Sequence, residues 1–139
     1  MYFVGAFERN LDDKGRLALP ATYRDHLGDH CYLVKGLDKS VSVIPSAVFE
    51  QEADFIDARE KAGEITRNEA RAWFYSAKVA SFDKQGRIIV DESLRSYAGL
   101  TPGQPVMIGG RKDRLEIWSN DRFARVDDEG TGRLAGADE

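Results

Sequence analysis

One cysteine, two histidines and four prolines are spread over 139 residues, and no apolar run approaches the ~20 residues a membrane-spanning helix needs. No membrane association is therefore expected. Cys31 has no partner for an internal disulfide, which suits a reducing compartment. The opening Met1-Tyr2-Phe3-Val4-Gly5 lacks the basic stretch and long apolar core of a secretion signal, so a cytoplasmic location is expected. His26, His30 and Cys31 lie close together, but no further cysteine or histidine completes a tetrahedral zinc set, and no metal is expected. No GxxxxGK[ST] or GxGxxG stretch cradles a phosphate-bearing cofactor. Neither histidine nor Cys31 stands in a recognisable nucleophile–base motif. No cofactor, no small-molecule substrate and no enzyme activity follow from these residues.

The apolar fraction of 42% supports a packed interior and is too high for a disordered chain. The net charge of −4 is unevenly placed. Asp127, Asp128, Glu129, Asp138 and Glu139 against Arg133 account for all of it, leaving the rest of the chain neutral. Pro45–Thr66 is acidic, with Glu50, Glu52, Asp54, Asp57, Glu60 and Glu64 against Arg59 and Lys61, whereas Arg67–Arg125 holds 11 basic residues against seven acidic ones. For binding a polyanion, such local segregation matters more than the overall isoelectric point.

The chain repeats itself. Leu11-Asp12-Asp13-Lys14-Gly15-Arg16-Leu17-Ala18-Leu19 aligns with Phe82-Asp83-Lys84-Gln85-Gly86-Arg87-Ile88-Ile89-Val90. The match continues through Tyr23-Arg24 with Leu94-Arg95 and Leu27-Gly28 with Ala98-Gly99. Val41-Ser42-Val43-Ile44 then matches Leu115-Glu116-Ile117-Trp118, and Phe49 matches Phe123. The small change of offset falls in Thr101–Pro105, a turn-rich stretch where an insertion is cheap.

Each copy is expected to run strand, polar turn, strand, short helix and hairpin. The strands are Phe3–Leu11, Leu17–Leu19, Cys31–Lys35 and Val41–Ile44 in the first copy. In the second they are Val79–Phe82, Ile88–Val90, Val106–Ile108 and Leu115–Trp118, with a turn over Gly109–Arg114. Helices at Ala21–Leu27 and Glu92–Ala98 end on Gly28 and Gly99 as C-terminal caps. Units of this size bury too little surface to stand alone, so the two need each other for a core. Phe49, Ala53 and Ile56, then Ala70, Trp73, Phe74 and Ala77, carry helical spacing in the connector, with a capping box at Thr66 and Glu69. The aromatic residues Trp73, Phe74 and Trp118 belong to the core or to a subunit interface. The expected division is 2–48, first unit; 49–77, helical connector; 78–125, second unit; 126–139, a disordered acidic tail.

The repeated turn is where chemistry concentrates. Asp12 and Asp83 can accept backbone N–H bonds a few residues on and hold the loop. Gly15 and Gly86 supply the positive φ that a tight reversal needs. Arg16 and Arg87 then present a guanidinium suited to phosphate or guanine. Asp, Gly and Arg also make a stable surface hairpin with no ligand at all, the arginine pairing to the aspartate. The tips differ, Asp13-Lys14 against Lys84-Gln85, as a structural frame with an adaptable end would.

Phe3-Val4-Gly5, the Leu11–Leu17 stretch with Pro20, Asp83 with Gly86-Arg87, Tyr97-Ala98-Gly99-Leu100 and Leu115-Glu116-Ile117-Trp118 closely resemble the MraZ family, over residues 2–125. The resemblance implies an α+β fold of two SpoVT–AbrB-type swapped-hairpin units intertwined as one barrel. It implies a ring-like homo-oligomer and a nucleoid-associated transcriptional regulator of the division and cell-wall gene cluster, binding short direct repeats of double-stranded DNA in its own promoter. It places DNA contact on Arg16 and Arg87, with Lys14 and Lys84 as flanking basic positions. Two rivals stand beside it. An antitoxin-like module would co-purify with a toxin, although Leu134 is the only large apolar residue in 127–139 that could grip one. A purely structural ring-forming protein would bind no DNA above background.

Overall fold

The computed structural model describes residues 2–136. Leu11, Leu17, Leu33, Val43, Ile88, Leu94, Ile108 and Ile117, all with essentially no solvent exposure, come from both repeats and meet in one core. That shared interior is what units this small require.

The first repeat gives β1 (Ala6–Asn10), β2 (Arg16–Ala18), α1 (Ala21–Leu27), β3 (His30–Lys35) and β4 (Val41–Pro45). Two helices follow, α2 (Ser46–Lys61) and α3 (Arg67–Ser76). The second repeat gives β5 (Lys78–Ser81), β6 (Arg87–Ile89), α4 (Glu92–Ala98), β7 (Pro105–Arg111) and β8 (Arg114–Ser119), and α5 (Asn120–Leu134) closes the chain. The architecture is α+β with antiparallel sheets.

Strand order in the larger sheet is β1-β7-β8-β4-β3-β5, and β2 pairs with β6 in a separate ribbon. Exchanging each strand for its repeat counterpart reverses that order and leaves it unchanged. The two hairpins meet at β4 and β8, with Val41 opposite Ile117 and Val43 opposite Leu115. Each repeat sends its first strand to the other repeat's hairpin: Phe7 lies opposite Ile108, and Cys31 opposite Ala80. Local sequence explains the breaks. Gly5 at φ +83° separates Phe3 from β1, so the first strand is shorter than the expected Phe3–Leu11. Phe3 is instead bridged to Lys112 beyond the end of β7. Gly110 stays within β7, where a Cβ would strike the backbone of Phe3 and Val4. The expected turn over Gly109–Arg114 accordingly shrinks to Lys112-Asp113, with Lys112 at φ +64°.

The connector has its capping box: Thr66 accepts the Glu69 amide at 3.0 Å, and Glu69 accepts the Thr66 amide at 2.9 Å. Tyr32, Phe49 and Trp73 form a stack, with ring centroids 3.9 and 5.3 Å apart. Phe74, expected on the apolar face, is 41% exposed, because Ala70, Trp73 and Ser76 are the α3 residues turned inward, Ser76 accepting the Lys35 amide of β3 at 3.0 Å.

The C-terminal segment differs most from expectation. Residues 126–134, read as the start of a disordered tail, lie in α5, whose N-cap Ser119 accepts the Arg122 amide. This helix is the repeat counterpart of α2, and its half-buried Phe123 and Val126, one turn apart, rest against β7 and β8. The run of charge after Val126 is its solvated face, which composition alone does not separate from a tail. Residues 137–139 of that expected tail lie outside the described residues.

Candidate nucleic-acid interface

In both repeats the turn is built by its aspartate. Asp12 Oδ1 accepts the amides of Lys14 at 2.9 Å and Arg16 at 2.7 Å, and Oδ2 accepts Arg16 Nε at 2.7 Å. Asp83 repeats this, accepting the Gln85 and Arg87 amides and Arg87 Nε, each at 2.9 Å. The backbone amide of Arg16, followed by its side chain, holds the Asp12 carboxyl below the ordinary carboxylate range; Arg87 does the same for Asp83. Gly15 and Gly86 sit at φ +78° and +74°, where a side chain would be strained.

The β2–β6 ribbon joins the two turns. Leu17 lies opposite Ile88, both facing the core, so period-two alternation sends Arg16, Ala18, Arg87 and Ile89 to the other face. Arg16 pairs in register with Ile89 and Ala18 with Arg87, which puts the two arginines on a diagonal. Their side chains keep 31% and 26% exposure, so neither is sealed in the core. Each aspartate engages its arginine through Nε, and the Nη edge of a guanidinium is in general suited to phosphate or guanine. Lys14 and Lys84 are exposed at the tips. All eight residues expected in the site, Asp12, Lys14, Gly15, Arg16, Asp83, Lys84, Gly86 and Arg87, thus belong to two turns flanking one short ribbon.

Two features of this region escape sequence reasoning. Ile89, 62% exposed, stands on the same outward face as the guanidiniums, although its apolar character reads as core. Arg24 on α1 and Arg95 on α4 lie against the glycines of the opposite repeat's turn. The only advance sign of them is an arginine recurring at the same offset after Arg16 and Arg87.

Among the described residues no group of three or more His, Cys, Asp or Glu gathers as a metal site. Cys31 is buried, and burial pushes its thiol up to about 12, far from a reactive thiolate. A cavity of about 240 Å³ between the connector and the hairpins is lined by Phe55, Arg59, Trp73, Arg111 and Glu116, and the neighbouring Arg114 is held by Glu52 and Asp113.

A protein-family model described as "MraZ protein, putative antitoxin-like" matches residues 2–68 and 73–131. Among similar curated proteins, the "Transcriptional regulator MraZ" of Roseiflexus castenholzii is 37% identical over 89% of this chain and 85% of its own length. The proteins of the same name from Desulforamulus reducens and Corynebacterium jeikeium are 38% and 39% identical, each over 88% of this chain and over 85% and 84% of their own lengths.

Proposed function

The chain belongs to the MraZ family, and from that premise we propose that it is a sequence-specific regulator of transcription that binds double-stranded DNA and catalyses no reaction. Its relatives are named transcriptional regulators, and the observation that carries the DNA reading is the pair of aspartate-held guanidiniums, Arg16 and Arg87, on one outward face. Phosphate contacts from Lys14 and Lys84 supply affinity, and Arg16 and Arg87 choose bases. The target is a set of short direct repeats in the promoter of its own division and cell-wall gene cluster. The protein works in the cytoplasm at the nucleoid.

The strand exchange between repeats supports taking each half as a swapped-hairpin unit, the pair closing as one barrel. A homo-oligomeric ring would repeat the Arg-bearing face, and weak contacts would add where DNA repeats match its spacing. Exposed Phe55, Phe74 and Tyr75 on the connector supply apolar surface for such assembly.

The test is promoter binding across a salt series by wild type, Arg16→Ala, Arg87→Ala and the double variant. The double variant is expected to lose specific binding and to show a shallower salt slope. Unchanged affinity and slope would remove these arginines from the contact.

A further inference from the structure

The glycine of each Arg-bearing turn is covered by an arginine from the opposite half. A Cβ on Gly15 would collide with Nη1 of Arg95 and come within 3.1 Å of the Val90 carbonyl oxygen. A Cβ on Gly86 would lie 2.5 Å from Nη1 and 2.7 Å from Cζ of Arg24. The backbone interlocks in the same sense. The Val90 amide donates to the Gly15 carbonyl at 2.8 Å, and the Leu19 amide to the Gly86 carbonyl at 3.2 Å. Arg95 adds a bond from Nη1 to the Val90 carbonyl at 2.6 Å, which ties guanidinium, strand end and turn into one closed unit.

We propose that Arg24 and Arg95 are positioning residues acting across the halves: Arg95 sets the turn that carries Arg16, and Arg24 the turn that carries Arg87. This rests on the DNA-binding reading above for its consequence, though not for its geometry. The aspartate fixes one side of each turn by hydrogen bonds. The glycine on the other side has no side chain to pack, so its conformation is held from outside. A guanidinium suits that task, being broad enough to cover a glycine and rich in donors for nearby carbonyls. A shorter side chain would leave the glycine uncovered and release the turn.

The two clasps are unequal. Arg95 is anchored on Val90, whereas Arg24 Nε is buried without a hydrogen-bond partner among the described residues. The longer Leu19–Gly86 bond agrees with a looser second turn. The turn that carries Arg87 is therefore the less firmly clasped of the two, although the Arg87 side chain itself is held by Asp83 and Asp12.

A double-mutant cycle on the full chain, with a duplex taken from upstream of its own gene, tests this. Arg95→Gln is expected to weaken binding about 10-fold in the wild-type background and in Arg87→Ala, but less than about 2-fold once Arg16→Ala is present. Arg24→Gln mirrors it, coupling to Arg87→Ala and not to Arg16→Ala, with a smaller effect of about 5-fold. An effect of Arg95→Gln undiminished by Arg16→Ala would make Arg95 a direct DNA contact and overturn the proposal, as would coupling confined within one repeat. Amide hydrogen exchange on the free protein reads the clasp without DNA. Arg95→Gln should speed exchange at Val90 and spare Leu19, and Arg24→Gln should do the reverse. Equal acceleration of both amides in either variant would mean general loosening and would overturn it. A wild type that ignores the duplex while this exchange pattern holds sinks the DNA-binding function and leaves the cross-half clasp supported.

Discussion

Nη1 of Arg87 lies 3.7 Å from Oδ2 of Asp12, a carboxylate of the opposite repeat. Asp12 also accepts Nε of its own Arg16 at 2.7 Å, so one carboxylate orients both guanidiniums. Asp83 holds Arg87 alone.

The aspartates should therefore differ in effect. Asp12→Asn is expected to weaken promoter binding about 10-fold and Asp83→Asn about 3-fold, because charge-assisted bonds to two guanidiniums are lost in the first and to one in the second. Titrations with labelled promoter DNA check this. Equal losses would show that the contact between repeats does nothing.

The turns should also respond to acid. Both carboxyls are held below their ordinary range, chiefly by the backbone amides of Arg16 and Arg87, so folding favours the ionised form. Their stabilising contribution is fully present above the ordinary carboxylate pKa and is lost as pH falls through the depressed folded values. Carbon-13 titration of the side-chain carboxyls should place Asp12 and Asp83 below the same residues in an unstructured peptide. Midpoints at or above the peptide's would contradict the hydrogen-bonded turn.

Neighbouring isoleucines on β6 should behave oppositely. Ile88 is 1% exposed and packs beside Leu17, so Ile88→Ala should cost about 2–5 kcal/mol of stability in chemical denaturation. Ile89 is 62% exposed, and Ile89→Ala should stay within about 0.5 kcal/mol. On the proposed DNA-facing surface, its loss should instead alter promoter affinity. The opposite ranking of stabilities would mean that the ribbon register is shifted by one residue.

Cys31 should be silent in the native state. Its buried thiol, raised to about 12, offers almost no thiolate near neutral pH. Modification by an aromatic disulfide reagent at pH 8 should proceed only as fast as the protein unfolds. Rapid reaction in the absence of denaturant would show that the junction of β3 and β5 opens on its own.

Much of this protein is legible in its amino-acid order. The repeat, the paired Asp-x-x-Gly-Arg turns, the short helices ending on Gly28 and Gly99, and the capping box at Thr66 all follow from contacts between residues close along the chain. Such contacts leave marks at fixed short spacing, and those marks survive without tertiary context. The α5 helix was half-visible in the correspondence of Phe49 with Phe123, but its charged outer face concealed it, because a solvated helix side and a polar tail share one composition.

Tertiary structure decided what depends on the partner across the fold. Which hairpin receives β1, why Ile89 lies outside while Ile88 lies inside, and which arginine covers which glycine are set by pairings between residues far apart in the chain. Nothing local records those distances. Arg24 and Arg95 look like ordinary helix-surface residues until the halves exchange strands, and only then does each meet the turn of the other.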